Sequence, residues 1–115
     1  MTSPNLIKLD TLEKLQAAIE ESRVRPVLLF KHSTSCGISS GVFREVSSVD
    51  SDINIVVVQT DRHVSNEIER RMGIRHESPQ AIVLKGGEPV YHASHYDISA
   101  EDINTHINDR TRTSN

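Results

Sequence analysis

Three short runs of apolar residues constrain the fold of this chain more than any other feature. They are Val27–Phe30, Ile53–Val58 and Ala81–Leu84. Each has the length of a β-strand, and none shows the apolar–polar alternation of a strand with one face in water, so we expect all three to be buried on both faces. The stretches between them carry apolar residues at helical spacing. The sequence therefore predicts an α/β fold in which helices cover both faces of a central sheet.

Helices and outer strands complete this pattern. Asp10, three residues before Glu13, is expected to cap a helix over residues 11–22. Gly73 is expected to end the third helix, and Pro89, which has no N–H, should lie in an edge strand. The other predicted elements are a strand over Leu6–Leu9, a helix with the stripe Ile38, Val42, Phe43 and Val46, a helix with Val64, Ile68 and Met72, a strand over 89–94 after the Gly86-Gly87 turn, and a final helix capped by Ser99.

The predicted element order is βαβαβαββα. Strands that alternate with helices pair in parallel, and the closing hairpin adds antiparallel strands to give a central mixed β-sheet flanked by helices. This is the order of a thioredoxin-like fold. We expect one such domain over residues 1–110, followed by a flexible polar tail over 111–115.

Charge and composition exclude several classes of partner. The formal net charge is −3, no run of lysine and arginine forms a basic patch, and aromatic residues make up 3% of the chain, so we expect no nucleic-acid partner. No apolar stretch reaches the length of a membrane span, and the N-terminus lacks the pattern of a signal peptide. A lone free thiol suits a reducing compartment, so we expect a cytoplasmic protein without a membrane partner.

The only cysteine, Cys36, lies between a predicted buried strand and a predicted helix, in the sequence Ser33-Thr34-Ser35-Cys36-Gly37-Ile38-Ser39. The N-terminus of a helix favours an anion, and therefore a thiolate. We expect Cys36 to be the catalytic nucleophile. The alternative is a buried structural cysteine, since a free thiol packs as a small apolar side chain; the small and polar neighbours are unlike a core.

The residues beside Cys36 have expected roles as well. Thr34 and Ser35 are expected to contact the substrate, and Gly37, Ile38 and Ser39 to stabilise the thiolate from the first helical turn. Ser39 stands where a dithiol redox protein has its second cysteine, so no internal disulfide can form. Its hydroxyl has two possible roles, donation to the thiolate or satisfaction of backbone donors, and both can hold.

Ser78-Pro79 directly precedes the third apolar run. A cis peptide at this point would turn the Ser78 backbone toward Cys36 and offer its N–H and C=O to an extended substrate. We therefore expect Ser78 and Pro79 to bind substrate. The alternative is an ordinary trans turn, because cis bonds are a small minority of X-Pro pairs.

The six histidines predict no metal site, since no pair has convincing ligand spacing. His32 is close enough in sequence to Cys36 to stabilise a thiolate, unless the strand directs it away. His92 and His95 are expected in one strand, facing opposite sides. We expect no permanently bound cofactor.

Four sequence blocks together resemble the monothiol bacilliredoxins, thioredoxin-like proteins of the bacillithiol system. The blocks are Lys31–Ser39, Val64–Ile68, Gly73–Gln80 and His92–His95. The resemblance implies that Cys36 takes bacillithiol, the co-substrate, from a mixed disulfide on a client protein. It also implies that Pro79 is a cis proline. The expected partners are bacillithiolated clients and a second small thiol or reductase that regenerates Cys36.

Two positions depart from related patterns. The family often has proline directly after the cysteine, where this chain has Gly37. Dithiol thioredoxins commonly have a buried acid six residues before the cysteine, where this chain has Phe30. A proton acceptor at that position is therefore missing, which is consistent with exchange through one thiol.

Two other functions fit the same sequence. The chain would be a binding module if Cys36 were incidental and the Ser78-Pro79 edge gripped extended peptides. It would be a redox sensor if thiolation of Cys36 were itself the output. The pKa of Cys36 discriminates between chemistry and binding, because a nucleophile needs a pKa well below the free value of roughly 8.5.

Overall fold

A five-stranded sheet forms the centre of the computed structural model, which describes residues 5–35 and 37–108. Across the sheet the strands are ordered β1-β3-β2-β4-β5. Their bounds are β1 Leu6–Lys8, β2 Val27–His32, β3 Ile53–Val57, β4 Gln80–Lys85 and β5 Glu88–Ser94. The helices are α1 Leu12–Glu21, α2 Gly37–Val46, α3 Arg62–Met72 and α4 Ala100–Ile107, and a 3-10 turn spans His95–Asp97. The predicted tail over 111–115 lies outside the described residues.

The pairing of the strands confirms the predicted mixed sheet. β3 pairs in parallel with both β1 and β2; helix α1 connects β1 to β2, and α2 connects β2 to β3. β4 runs antiparallel to both β2 and β5. The element order is the predicted βαβαβαββα, with the 3-10 turn inserted before α4. As predicted from Pro89, β5 lies at an edge of the sheet.

Successive residues of the central strand β2 enter opposite apolar cores, which explains its unbroken apolar run. Leu29 packs in the core that contains residues of α1 and α3. Leu28 and Phe30 pack in the core that contains residues of α2 and α4. All three side chains are fully buried, and burial of each contributes roughly 2–3 kcal/mol to stability. A polar substitution of any of these three residues would therefore place an unpaired polar group in one of the two apolar cores and destabilise the fold.

The predicted cap of α1 is wrong by one residue. Thr11, and not Asp10, is the N-cap, and its Oγ1 accepts a hydrogen bond of 3.1 Å from the Lys14 N–H. The helix begins at Leu12, so Asp10 lies outside it, and its carboxylate instead pairs with Lys14 Nζ at 2.8 Å. Threonine caps almost as well as aspartate, and the sequence offered both.

The ends of the later helices agree with the sequence. Ser99 caps α4 through the N–H of Asp102 at 3.2 Å. Gly73 ends α3 with φ of 67°, a left-handed conformation that glycine adopts without a Cβ penalty. Among residues 5–35 and 37–108, the helices are too short and too polar for any of them to cross a bilayer.

The prediction that His92 and His95 share a strand is wrong. β5 ends at Ser94, and His95 begins the 3-10 turn with φ of 57°. The backbone N–H of His95 donates to Pro79 O at 3.0 Å, so the chain turns at this point and ties the end of β5 to the start of β4. Sequence alternation carried no signal for this turn.

Candidate active site

The predicted site residues that the structure describes lie at one end of the central strands, which we call the site end of the sheet. The carboxyl ends of the parallel strands β2 and β3 meet there, together with the amino end of the antiparallel strand β4. These ends lead into the loop over residues 33–35, the segment 58–61 and the segment 73–79. Cys36, the predicted nucleophile, follows this loop and immediately precedes α2 in the sequence; it lies outside the described residues.

One side chain that follows β3 holds the loop that precedes Cys36 through three hydrogen bonds. Gln59 Nε2 donates to Ser33 Oγ at 2.7 Å and to Ser35 Oγ at 2.9 Å, and Gln59 Oε1 accepts from the Thr34 N–H at 3.2 Å. All three loop residues are thus fixed by one amide group, while Thr34 and Ser35 stay exposed. Gln59 is not among the site residues predicted from the sequence, although its position directly after a buried strand, at the same end of the sheet as Cys36, was a usable signal.

Ser39 is completely buried, and its hydroxyl is engaged by two groups. The oxygen accepts a hydrogen bond of 3.0 Å from the Ser33 N–H and lies 3.1 Å from His32 Nδ1. Ser39 therefore has the structural role considered for it, as acceptor for a backbone donor. The donor belongs to the loop before Cys36 and not to the helix. Its predicted donation to the Cys36 thiolate stays a prediction.

His32 is partly buried, and its ring packs against the core that contains residues of α2. Its ring centroid lies 5.9 Å from that of Phe30 and 5.3 Å from that of Phe43. This burial lowers the pKa of His32 below its usual value, so the ring is neutral at pH 7. With the proton on Nε2, Nδ1 accepts from the Ser39 hydroxyl; with the proton on Nδ1, the ring donates and leaves the Ser39 hydrogen free.

The N-terminus of α2 has an exposed glycine and the positive end of the helix dipole. Gly37, the first helical residue, is exposed, and a Cβ at this position would meet no atom within 4 Å. Ile38 is partly buried against the core next to α2. The first turn carries no acidic residue and the last turn carries Arg44, so no carboxylate of the first turn repels an anion at the N-terminus of the helix.

The Ser78-Pro79 peptide bond is cis, as expected. Pro79 is buried, and its carbonyl accepts the hydrogen bond from the His95 N–H. Ser78 is partly exposed, but its Oγ is buried and has no hydrogen-bond partner among the described residues. Direct contact of Ser78 and Pro79 with a substrate stays a prediction.

A second polar cluster lies under the segment 73–79, on the opposite face of β2 from His32. Lys31 is 1% exposed, and its Nζ lies 3.1 Å from His76 Nδ1. Ser65 Oγ lies 3.2 Å from the same nitrogen, and Glu69 Oε2 accepts from the His76 N–H at 2.9 Å. Burial lowers the pKa of Lys31 to about 8, against the opposing effect of the Glu69 carboxylate. No pattern in the sequence predicted this cluster.

Metal-binding geometry is not found in the part of the chain that the structure describes. No group of three or more histidine, cysteine, aspartate or glutamate side chains there could hold an ion. The polar side chains at the site end of the sheet instead bind one another and the backbone.

Comparison with known proteins identifies the family. The sequence model of the family described as monothiol bacilliredoxin BrxC matches residues 7–103. The chain belongs to the monothiol bacilliredoxin family. The match covers all the predicted site residues, from Thr34 to Pro79.

Solved structures agree on the fold of this bacilliredoxin family member. A protein described as a candidate oxidoreductase with a thioredoxin fold is 31% identical, with a TM-score of 0.79, over 85% of this chain and 89% of that chain. Thioredoxin from Fasciola hepatica is 17% identical, with a TM-score of 0.70, over 92% of this chain and 97% of its own. A thioredoxin pre-protein from Schistosoma mansoni is 23% identical, with a TM-score of 0.67, over 90% and 98%. The protein is therefore a thioredoxin-like oxidoreductase by family and fold.

Proposed function

We propose that this protein is a monothiol thiol–disulfide oxidoreductase that removes bacillithiol from mixed disulfides on client proteins. The Cys36 thiolate attacks the bacillithiol sulfur, and a new disulfide forms between Cys36 and bacillithiol. The client sulfur leaves as a thiolate and takes up a proton. A second small thiol or a dedicated reductase then attacks the adduct, releases bacillithiol and returns Cys36 to its reduced form.

The single observation that carries this proposal is the family match over residues 7–103 in a chain with only one cysteine. One thiol can accept a small thiol from a client but cannot close an internal disulfide, so an external thiol must complete the cycle. Attack on a disulfide also requires access for the partner. Thr34, Ser35 and Gly37 are all exposed, which supports approach of a client at this end of the sheet.

The site residues receive roles within this proposal. The backbone at Gly37 and Ile38 and the hydroxyl of Ser39 stabilise the thiolate, through the N-terminal dipole of α2 and a direct hydrogen bond. Thr34 and Ser35, held by Gln59, form one side of the substrate surface, and Ser78 and Pro79 form the other. The reaction needs no resident cofactor, and we place it in the cytoplasm, where thiols are kept reduced.

Intact mass spectrometry tests the proposal directly. The reduced protein is mixed with a client that carries one bacillithiolated cysteine, and both masses are followed in time. We expect the mass of bacillithiol to move from the client to this protein, and the Cys36→Ser variant to leave the client modified. Addition of free bacillithiol should then remove the adduct.

Each other result has a defined meaning. Transfer from a glutathionylated client, without transfer from a bacillithiolated one, would replace bacillithiol with glutathione as co-substrate. A stable adduct that free thiols do not remove would make the protein a redox sensor. No transfer from either client, with the client still bound, would make it a peptide-binding module.

A further inference from the structure

Lys31 is a buried cation for which the proposed exchange reaction has no use. It lies in the central strand β2 and is 1% exposed. Side chains two apart in a strand share a face, so Lys31 enters the core next to α1 and α3 with Leu29. A charge in such a place destabilises the fold unless its contacts compensate. The contacts of Lys31 must therefore offset part of this cost.

The ammonium group of Lys31 is directed at His76. An ammonium can only donate, so at 3.1 Å it donates to His76 Nδ1, and the proton of the neutral ring is then on Nε2. Burial and the Lys31 charge both lower the pKa of His76, which keeps the ring able to accept. The other charged groups that act on this pair are Glu69, Arg62 and Glu77.

His76 belongs to the segment that leads to the cis proline, and side chains hold that segment in place. Residues 73–79 form no helix or strand. The His76 N–H donates to Glu69, and Gln80 Nε2 donates to Arg75 O at 3.0 Å. Gln80 is the residue that faces Lys31 across β2 and β4. Lys31 is thus hydrogen-bonded, through His76, to the segment that leads into the Ser78-Pro79 turn.

We propose that Lys31 is a positioning residue for substrate binding, which holds His76 and so fixes the Arg75–Pro79 segment against which the client lies. This inference rests on the proposed function, because that function makes Ser78 and Pro79 part of the substrate surface. Lys31 acts through His76 and not on the thiol. Its loss should therefore weaken client binding and leave the Cys36 thiolate unchanged.

The test compares Lys31→Met with Lys8→Met, an exposed lysine of β1 with no resolved contact to the site. We expect Lys31→Met to raise KM for the bacillithiolated client roughly fivefold or more, the equivalent of one lost hydrogen bond, with kcat unchanged. The thiolate absorbance of Cys36 at 240 nm should titrate at the same pH in both variants. Lys8→Met should match the parent throughout.

Amide hydrogen exchange gives a readout that does not depend on activity. In a Cys36→Ser background, Lys31→Met should speed exchange at His76, Glu77 and Ser78 roughly tenfold, because their anchor is lost. His76→Leu, which removes the acceptor and keeps Lys31, provides a second variant with the same expectation if Lys31→Met does not fold.

The outcomes separate the two proposals. Unchanged exchange in this segment overturns the positioning role. Faster exchange with an unchanged KM also overturns it, since the segment would then loosen without affecting the client. A shifted thiol titration with a lower kcat would assign Lys31 to the thiol instead. If the parent protein transfers no bacillithiol, the proposed function fails, and the exchange measurement still decides whether Lys31 holds the segment.

Discussion

Replacement of the buried Lys31 by methionine should stabilise the fold at neutral pH. The pKa of Lys31 falls from 10.5 to about 8 on folding, which corresponds to about 3 kcal/mol of lost stability at pH 7, where Lys31 is charged in both states. Methionine has similar length and no charge. The contact with His76 is lost, at about 1 kcal/mol, but Ser65 remains beside the same ring nitrogen. The expected net gain at pH 7 is about 2 kcal/mol.

The pH dependence gives this prediction its signature. Between pH 8 and 10.5 the unfolded state binds more protons at Lys31 than the folded state, so stability rises with pH in this range. From pH 8 to 10 the expected rise is about 2 kcal/mol in the parent and absent in Lys31→Met. Burial and nearby Asp102 and Asp97 raise the pKa of Tyr91, which lowers stability above pH 10, so the comparison stops there.

Urea unfolding followed by circular dichroism provides the assay, since the chain has no tryptophan. Both proteins carry Cys36→Ser, which removes the titration and oxidation of the thiol, and Lys8→Met serves as the exposed control. The free energies of unfolding of parent and Lys31→Met should converge between pH 8 and 10. Parallel curves over this range would refute the argument, because they would show that Lys31 titrates alike in both states.

Three further predictions concern the polar groups around the site. Gln59→Leu should lower kcat/KM for thiol transfer roughly tenfold, because the loop before Cys36 loses its anchor. The free energy of unfolding in urea should change by about 1 kcal/mol or less, since the side chain is exposed; an unchanged kcat/KM would contradict this role. Ser39→Ala should lower the free energy of unfolding by about 2 kcal/mol, because it leaves the buried Ser33 N–H without an acceptor. The exposed control Ser40→Ala should change it by no more than about 0.5 kcal/mol, and equal effects of the two variants in urea would contradict the hydrogen bond from Ser33 to Ser39. Burial lowers the pKa of both His32 and His76, so below pH 6.5 the unfolded state binds more protons and stability falls as pH decreases toward 5; a urea midpoint that rises over this range would be inconsistent with neutral buried rings.

The sequence predicted the sheet better than the site, for a physical reason. Strands buried on both faces need continuous apolar runs, and the runs at Val27, Ile53 and Ala81 fall within or overlap β2, β3 and β4. Local caps were harder, because Asp10 and Thr11 are adjacent and both can accept from an N–H. The side of a strand that a polar residue occupies depends on its partners elsewhere in the chain. No local pattern could show that Lys31 meets a histidine 45 residues away.

The last two residues of β2 support the two halves of the candidate site separately. Lys31 enters one face of the sheet and bonds His76, which precedes the cis proline. His32 enters the other face and lies beside Ser39, which holds the Ser33 N–H in the loop before Cys36. Because neighbouring side chains of a strand must face opposite ways, one dipeptide can position both segments. It follows that a change at Lys31 should alter client binding and a change at His32 should alter the loop before Cys36, with little coupling between them, because the two side chains share no hydrogen-bond partner among the described residues.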